Sequence, residues 1–116
     1  MVIERYKNVK KGMEEMIPRG TTPTFTLTFP EGTDLTQASS VYVSFQNGDT
    51  RFDKTGSDVT VTERTVELSL TQAETLALNS GSVMIQVNWV YPNGTRAASE
   101  IVSCLIGDNL LGEEIE

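Results

Sequence analysis

The sequence contains no histidine, and this absence removes most catalytic triads and most metal sites. It also contains no glycine-rich phosphate-binding motif, and we interpret Glu113, Glu114 and Glu116 as a charged tail rather than an acid/base pair. The single cysteine, Cys104, excludes an internal disulfide and fits a reducing compartment or a particle assembled inside a cell. Cys104 lies among apolar residues with no neighbouring base or cation, which is typical of a buried structural cysteine. We therefore expect no enzymatic activity, no metal and no cofactor.

Long apolar runs are absent as well. No stretch approaches the roughly 18 residues that a membrane helix needs, and the start, MVIERYKNVKKG, lacks the apolar region of a signal peptide. We expect no membrane partner.

Positive charge is scarce. Nine Lys and Arg residues stand against sixteen Asp and Glu residues, for a net charge of −7. An acidic domain repels phosphate backbones, so we expect no nucleic-acid partner. The first twenty residues carry five positive and three negative charges, whereas residues 97–116 carry only five negative ones. These opposite signs favour head-to-tail contacts between copies, and ordinary solubilising charge is the alternative interpretation.

Alternation of apolar and polar residues is the dominant pattern. In TPTFTLTFP, residues Phe25, Leu27 and Phe29 alternate with threonines, as in a half-buried strand. The same period recurs along the chain and predicts strands at 22–29, 40–46, 49–54, 58–62, 65–70, 82–91 and 95–105. We predict an all-β fold, an immunoglobulin-like antiparallel β-sandwich of about seven strands. An antibody-type domain is excluded because the inter-sheet disulfide needs two cysteines.

Turn residues set the register of the hairpins. Asn47-Gly48 predicts a type I′ turn that places Val43 opposite Phe52 and Phe45 opposite Thr50. A turn at Glu63-Arg64 places Val61 opposite Val66 and Val59 opposite Leu68. Between these hairpins and the last one, Thr71 and Glu74 form a capping-box pattern that predicts a helical turn ending near Leu78.

The last hairpin turns at Pro92-Asn93-Gly94. This turn places Trp89 opposite Ala97 and Ile85 opposite Ile101, with both pairs facing the core. The large core residues expected around the indole are Phe25, Leu27, Val43, Phe45, Leu68 and Val87. The other face of this hairpin then ends in Met84, Val102 and Cys104, an apolar group that something must cover.

The N-terminal segment has a different period. Its apolar residues recur three or four positions apart and predict a helix, or an arm that orders on assembly; they are Ile3, Tyr6, Val9, Met13 and Met16. A helix this short is marginal alone, so it must pack on another surface. We expect it to contact Met84 and Val102 of the same copy or of a neighbouring copy, which predicts a homo-oligomer. The predicted division is therefore 1–18 for the helix or arm, 19–106 for the sandwich and 107–116 for an acidic C-terminal tail.

Three segments together resemble a known family: IPRGTTPTFTLTF, LTQAETLAL and VMIQVNWVYPNGTRAASEIVSCLIGDNLL. They resemble the N-terminal β-sandwich of siphophage upper baseplate proteins, encoded in tail-gene clusters of phages and prophages of Gram-positive bacteria. Residues 19–22 stand where that family has a Gly-Asp-Thr opening, with Thr21 in place of the Asp. Residues 70–75 match its turn motif, and Gly94 with Ala98-Ser99 matches its hairpin.

The resemblance covers residues 17–112 and implies a tail or baseplate structural protein. Such a protein binds other virion proteins and resides in the virion, after assembly in the host cytoplasm. The alternative from the residues alone is an immunoglobulin-like binding module that recognises a surface glycan or a host protein. In that case Tyr91 and Trp89 would stack on a sugar.

Overall fold

The computed structural model describes residues 2–5 and 16–115. Within them it has ten strands and one α-helix. The strands are β1 (Val2–Arg5), β2 (Met16–Pro18), β3 (Thr24–Thr28), β4 (Ser40–Asn47), β5 (Thr50–Thr55), β6 (Val59–Val61), β7 (Thr65–Ser69), β8 (Gly81–Val90), β9 (Arg96–Ala98) and β10 (Val102–Gly107). The helix is α1 (Gln72–Ala77), and 3-10 turns occur at Leu35–Gln37 and Gly56–Asp58.

The strands form two sheets. The smaller sheet has the order β1-β3-β7-β6, and the larger has the order β2-β10-β8-β4-β5, with β9 also paired to β8. The pairings are antiparallel except for β2, which runs parallel to β10. With the strands lettered as in an immunoglobulin domain, the small sheet is A-B-E-D. The larger sheet is then G-F-C-C′, formed by β10, β8, β4 and β5. The short strand β2 is added beside β10 and corresponds to the second part of strand A. The predicted all-β, immunoglobulin-like sandwich is confirmed.

The core lies between the two sheets and contains the large residues that alternation assigned to it. Phe25, Leu27, Val43, Phe45, Leu68, Val87 and Trp89 are all buried. The Trp89 ring packs edge-on against Phe29 at a centroid distance of 5.6 Å. Its indole nitrogen donates to the Tyr91 hydroxyl at 3.0 Å. Trp89 lies opposite Ala97, as predicted.

The N-terminal prediction of a helix is wrong for the described residues, because they form the two halves of the first strand. β1 pairs with β3, from Val2 opposite Thr28 to Arg5 opposite Phe25. β2 pairs with β10, and within it Ile17 is buried while Met16 and Pro18 are exposed. Tyr6, Val9 and Met13 lie outside the described residues.

The physical reason for this difference is that an isolated helix of this length is only marginally stable. The edges of β3 and β10, in contrast, present rows of backbone groups that a strand can pair. The sandwich therefore includes residues 2–5 and 16–18, beyond the predicted start at residue 19.

The β4–β5 hairpin has a register that differs from the predicted one. Asn47 lies opposite Thr50 and Phe45 opposite Phe52, so Gly48 and Asp49 form the two-residue loop. Gly48 has a φ of +59°, the left-handed conformation that a type II′ turn needs at its first position. Asn47 is instead buried, because its side chain binds the chain entering β8.

The last hairpin contains a β-bulge. Asn88 lies opposite Ala98, but Ile85 lies opposite Val102 rather than Ile101. Ser99 occupies the break: its hydroxyl accepts from the Val87 backbone N–H at 3.0 Å. One extra residue between the two ladders turns the following side chains to the opposite face. As a result Ile101 is 58% exposed and Cys104 is 6% exposed.

Two other local predictions are confirmed. Val61 lies opposite Val66 and Val59 opposite Leu68, so Glu63-Arg64 is the turn. Thr71 and Glu74 form a capping box at the start of α1, with each side chain bonded to the other residue's backbone N–H.

Candidate assembly surface

The outer face of the larger sheet carries several apolar side chains at its β2–β10–β8 end. Met16 lies opposite Leu105 on β10, and Met84 on β8 lies opposite Ser103. Met16 is 52% exposed and Met84 is 44% exposed, whereas Leu105 is half-buried. We call these three residues together with Ile101 the outer-face patch. Exposed apolar side chains gathered on one face are typical of a protein contact surface.

Met16 packs across Gly107 in this patch. A Cβ atom added at Gly107 would lie closer to the Met16 sulfur than van der Waals contact allows. Gly107 does not have a positive φ, so the need for glycine here comes from close packing rather than backbone conformation. The Met16 side chain can therefore lie across residue 107 at the sheet edge because that residue is a glycine.

A groove of about 230 Å³ adjoins the patch and shares Met84 and Ile101 with it. Its apolar part is formed by Met84 and Ile101, and its polar part includes Arg51 and Arg96. The Arg96 guanidinium donates to the Asn88 side-chain oxygen at 3.1 Å, and Arg51 donates to Asp53 at the same distance. None of the described residues that line the groove is acidic. The groove thus combines apolar side chains with two arginines, of which Arg51 also pairs with Asp53. We call it the outer-face groove.

The predicted contact residues are only partly brought together. Met84 lies on the outer face, as expected, but Val102 is half-buried and packs against the core, so its expected place beside Met84 is wrong. Cys104 is also wrongly placed there, since it lies opposite Val83 in the core. The bulge at Ser99 is the reason for both differences.

Ile3 lies on β1 in the other sheet, and Met16 lies in the patch.

Two residues of this surface, Ile101 and Leu105, are not among the contact residues predicted from the sequence. The signal for Ile101 was present, because the pair Ile101-Val102 interrupts the alternation of polar and apolar residues. Two consecutive apolar residues in an otherwise alternating strand indicate a bulge as readily as a wider buried face.

The segment after β10 folds back along α1. The Gln72 side-chain amide donates to the Ile115 carbonyl at 3.0 Å and accepts from the Ile115 N–H at 2.7 Å. Asn109 donates to the Arg19 carbonyl at 2.8 Å, and Asp108 accepts from the Ser80 hydroxyl. We call residues 108–115 the C-terminal segment. It is held by polar contacts, while its apolar side chains Leu110, Leu111 and Ile115 are exposed.

The described residues offer little else that points to chemistry. They contain no group of three or more Cys, Asp or Glu side chains that could hold a metal ion. None of the helices in the described part of the chain is long and apolar enough to span a membrane. A second groove, of about 390 Å³, lies between the start of β4 and β6 and is lined by small polar and aliphatic residues.

Comparison with known proteins gave no match: no family model matches the chain, and neither does any curated protein or solved structure.

Proposed function

We propose that this chain is a non-enzymatic structural protein of a phage or prophage tail, of the baseplate type, that acts through protein–protein contacts. The observation that carries the proposal is the outer-face patch, where Met16, Met84 and Ile101 are each 44–58% exposed on one side of the sandwich. In a domain without a partner these apolar side chains would stay in contact with water, whereas a protein–protein interface would bury them.

The chemistry of the patch suits assembly. Methionine is flexible and polarizable, so Met16 and Met84 adapt to an opposing surface without a preformed pocket. The larger sheet beneath them is held by long ladders, seven residue pairs between β4 and β8 and six between β4 and β5. A rigid sheet with adaptable side chains on its outer face presents a pre-organised binding surface.

The resemblance to upper baseplate proteins supports the choice of a phage tail. Each of the three resembling segments contains an element that shapes the sandwich. Gly20, with a φ of +82°, opens the path into β3, and residues 70–75 cap α1. Gly94 turns the last hairpin with a φ of +88°. We expect the partners to be other virion proteins and further copies of this chain, with assembly in the host cytoplasm and residence in the virion.

A glycan-binding module finds less support. That function needs Trp89 and Tyr91 as a stacking platform, but the Trp89 side chain is 8% exposed and its indole N–H is bonded to Tyr91. A ring in this position offers no open face to a sugar.

Deletion of the gene in the strain that carries it tests the proposal. We expect normal lysis but incomplete particles in electron micrographs, with complete particles restored by a plasmid copy of the gene. A plasmid copy carrying Met84→Lys and Ile101→Lys should restore them less well. Complete, infectious particles from the deletion strain would overturn the proposal.

A further inference from the structure

We propose that the C-terminal segment of one copy binds in the outer-face groove of a second copy. This inference rests on the proposed function and deepens it, because it names a partner and the two surfaces that meet.

The C-terminal segment is presented in a form suited to binding. Its contacts within its own copy use the backbone of Ile115 and the side chains of Asp108 and Asn109. Leu110 is fully exposed, and Leu111 and Ile115 are 46% and 64% exposed. A segment that is already ordered by polar contacts loses less conformational entropy on binding than a disordered one. Its apolar side chains are therefore available to a second molecule.

The outer-face groove has the complementary chemistry. Met84 and Ile101 offer apolar surface to leucine side chains, while Arg96 and Arg51 carry positive charge, which Arg51 shares with Asp53. Glu113 and Glu114 stand beside the leucines in the C-terminal segment and carry the opposite charge. Apolar burial supplies affinity, and the ion pairs supply orientation and salt dependence.

The size of the groove favours a peptide segment over a small molecule. Its volume of about 230 Å³ falls below the roughly 300–1,000 Å³ of small-molecule pockets. A pocket on this scale suits one or two side chains of an extended chain. Leu110 and Leu111 are two adjacent, exposed apolar side chains of the C-terminal segment that suit this volume.

The two surfaces belong to different parts of the molecule. The C-terminal segment is bonded to α1 and to the Arg19 backbone, and none of the described groove-lining residues comes from it. A contact between two different surfaces is heterologous, so two copies joined by it still have one open groove and one open segment between them. Repetition of the contact builds a ring or a chain of copies.

Two double variants test the contact. The segment variant carries Leu110→Ser and Leu111→Ser, and the groove variant carries Arg51→Glu and Arg96→Glu. All four positions are exposed, so both variants should fold, which thermal unfolding checks. Molar mass is measured by light scattering after size exclusion over a range of protein concentrations. Tyr42→Ser, on the same outer face but not among the groove-lining residues, is the matched control for the groove variant.

We expect the unmodified chain and the control to increase in mass with concentration. Each double variant alone should associate at least about tenfold more weakly, the scale on which loss of one buried leucine changes a binding constant. An equimolar mixture of the two variants should form a 1:1 complex and no larger species, because one intact segment meets one intact groove. Raising the salt concentration should weaken that complex.

Three results would overturn the contact: no association of the unmodified chain, undiminished association of either variant alone, or a mixture that stays monomeric. Any of these would leave the proposed function to the gene deletion, which reports on particle assembly whichever surface is used.

Discussion

The ammonium group of Lys54 on β5 lies 2.8 Å and 3.0 Å from the two carboxylate oxygens of Glu74 on α1. The Lys54 side chain is 9% exposed and that of Glu74 is 26% exposed. The same carboxylate accepts from the Thr71 backbone N–H at 2.8 Å and so completes the helix cap. The Glu74 carboxylate thus links α1 to β5, the edge strand of the larger sheet.

This arrangement makes stability depend on pH. Burial raises the pKa of Glu74, but the hydrogen bonds from Lys54 and Thr71 and the Lys54 charge outweigh it, so the pKa is held below its ordinary value. A carboxyl whose pKa is lower in the folded state stabilises the fold above its unfolded pKa. That stabilisation is lost as the pH falls through the folded value.

Glu74→Gln should therefore cost about 2–3 kcal/mol at neutral pH, because it leaves the buried Lys54 charge unpaired. The difference between this variant and the unmodified chain should shrink in acid, as the pH falls through the lowered pKa of Glu74. Urea unfolding at several pH values measures both effects. Asp53→Asn, at the exposed Arg51 ion pair, is the control and should change stability by under about 1 kcal/mol. A pH-independent difference for Glu74→Gln would contradict this role.

Asn47 joins the β4–β5 hairpin to the start of β8. Its side-chain nitrogen donates to the Asn79 and Ser82 carbonyls at 3.1 Å and 3.0 Å, and its oxygen accepts from the Asn79 N–H at 2.9 Å. Asn47→Ala should cost about 2–3 kcal/mol, because three hydrogen bonds to the Asn79 and Ser82 backbone are lost, each worth about 0.5–1.5 kcal/mol. Asn93→Ala, in the exposed turn with one bond to the Thr95 N–H, should cost about 0.5–1 kcal/mol. Equal losses in the two variants would mean that Asn47 acts only as a turn residue.

The β-bulge at Ser99 decides which side chains face solvent. Cys104 should react slowly with a thiol reagent in the folded chain and quickly in denaturant, since it is 6% exposed. With Cys104 replaced by Ala, Ile101→Cys should react quickly in the folded chain, since that position is 58% exposed. Slow reaction at position 101 together with fast reaction at position 104 would show that the strand has no bulge.

The strand at Met16–Pro18 and the predicted helix make opposite predictions for two adjacent residues. In the strand, Ile17 is 6% exposed and Met16 is 52% exposed, whereas the helical stripe contained Met16 and not Ile17. Ile17→Ala should cost about 2–4 kcal/mol, and Met16→Ala under about 1 kcal/mol. Denaturant unfolding of both variants measures the order, and a larger loss at Met16 would favour the helix.

The local patterns in the sequence predict much of the sandwich. Alternation places Phe25, Leu27 and Trp89 in the core because a strand with one buried face has a period of two. The capping box at Thr71 and Glu74 and the turn at Glu63-Arg64 depend on neighbours in sequence, and both are found where predicted.

Two of the predictions from local sequence are wrong because the residues concerned make contacts with distant parts of the chain. The Asn47-Gly48 pair indicated a turn, but the Asn47 side chain instead hydrogen-bonds to the backbone just before β8, more than thirty residues away. The spacing of Ile3 and Met16 indicated a helix, but the edges of β3 and β10 pair these residues as strands. The outer-face groove was not predicted for a different reason: the pair Ile101-Val102 fits a bulge and a wider buried face equally well, so alternation alone does not place Ile101 on the outer face.

The most direct test of assembly as the role of this chain is its copy number in purified particles. Particles from the strain that carries the gene are banded on a density gradient, and the chain is quantified by mass spectrometry with labelled peptide standards. We expect several copies per particle, in a fixed ratio to the other particle proteins from one preparation to the next. A chain that stays in the soluble fraction and is absent from the particle band would contradict it.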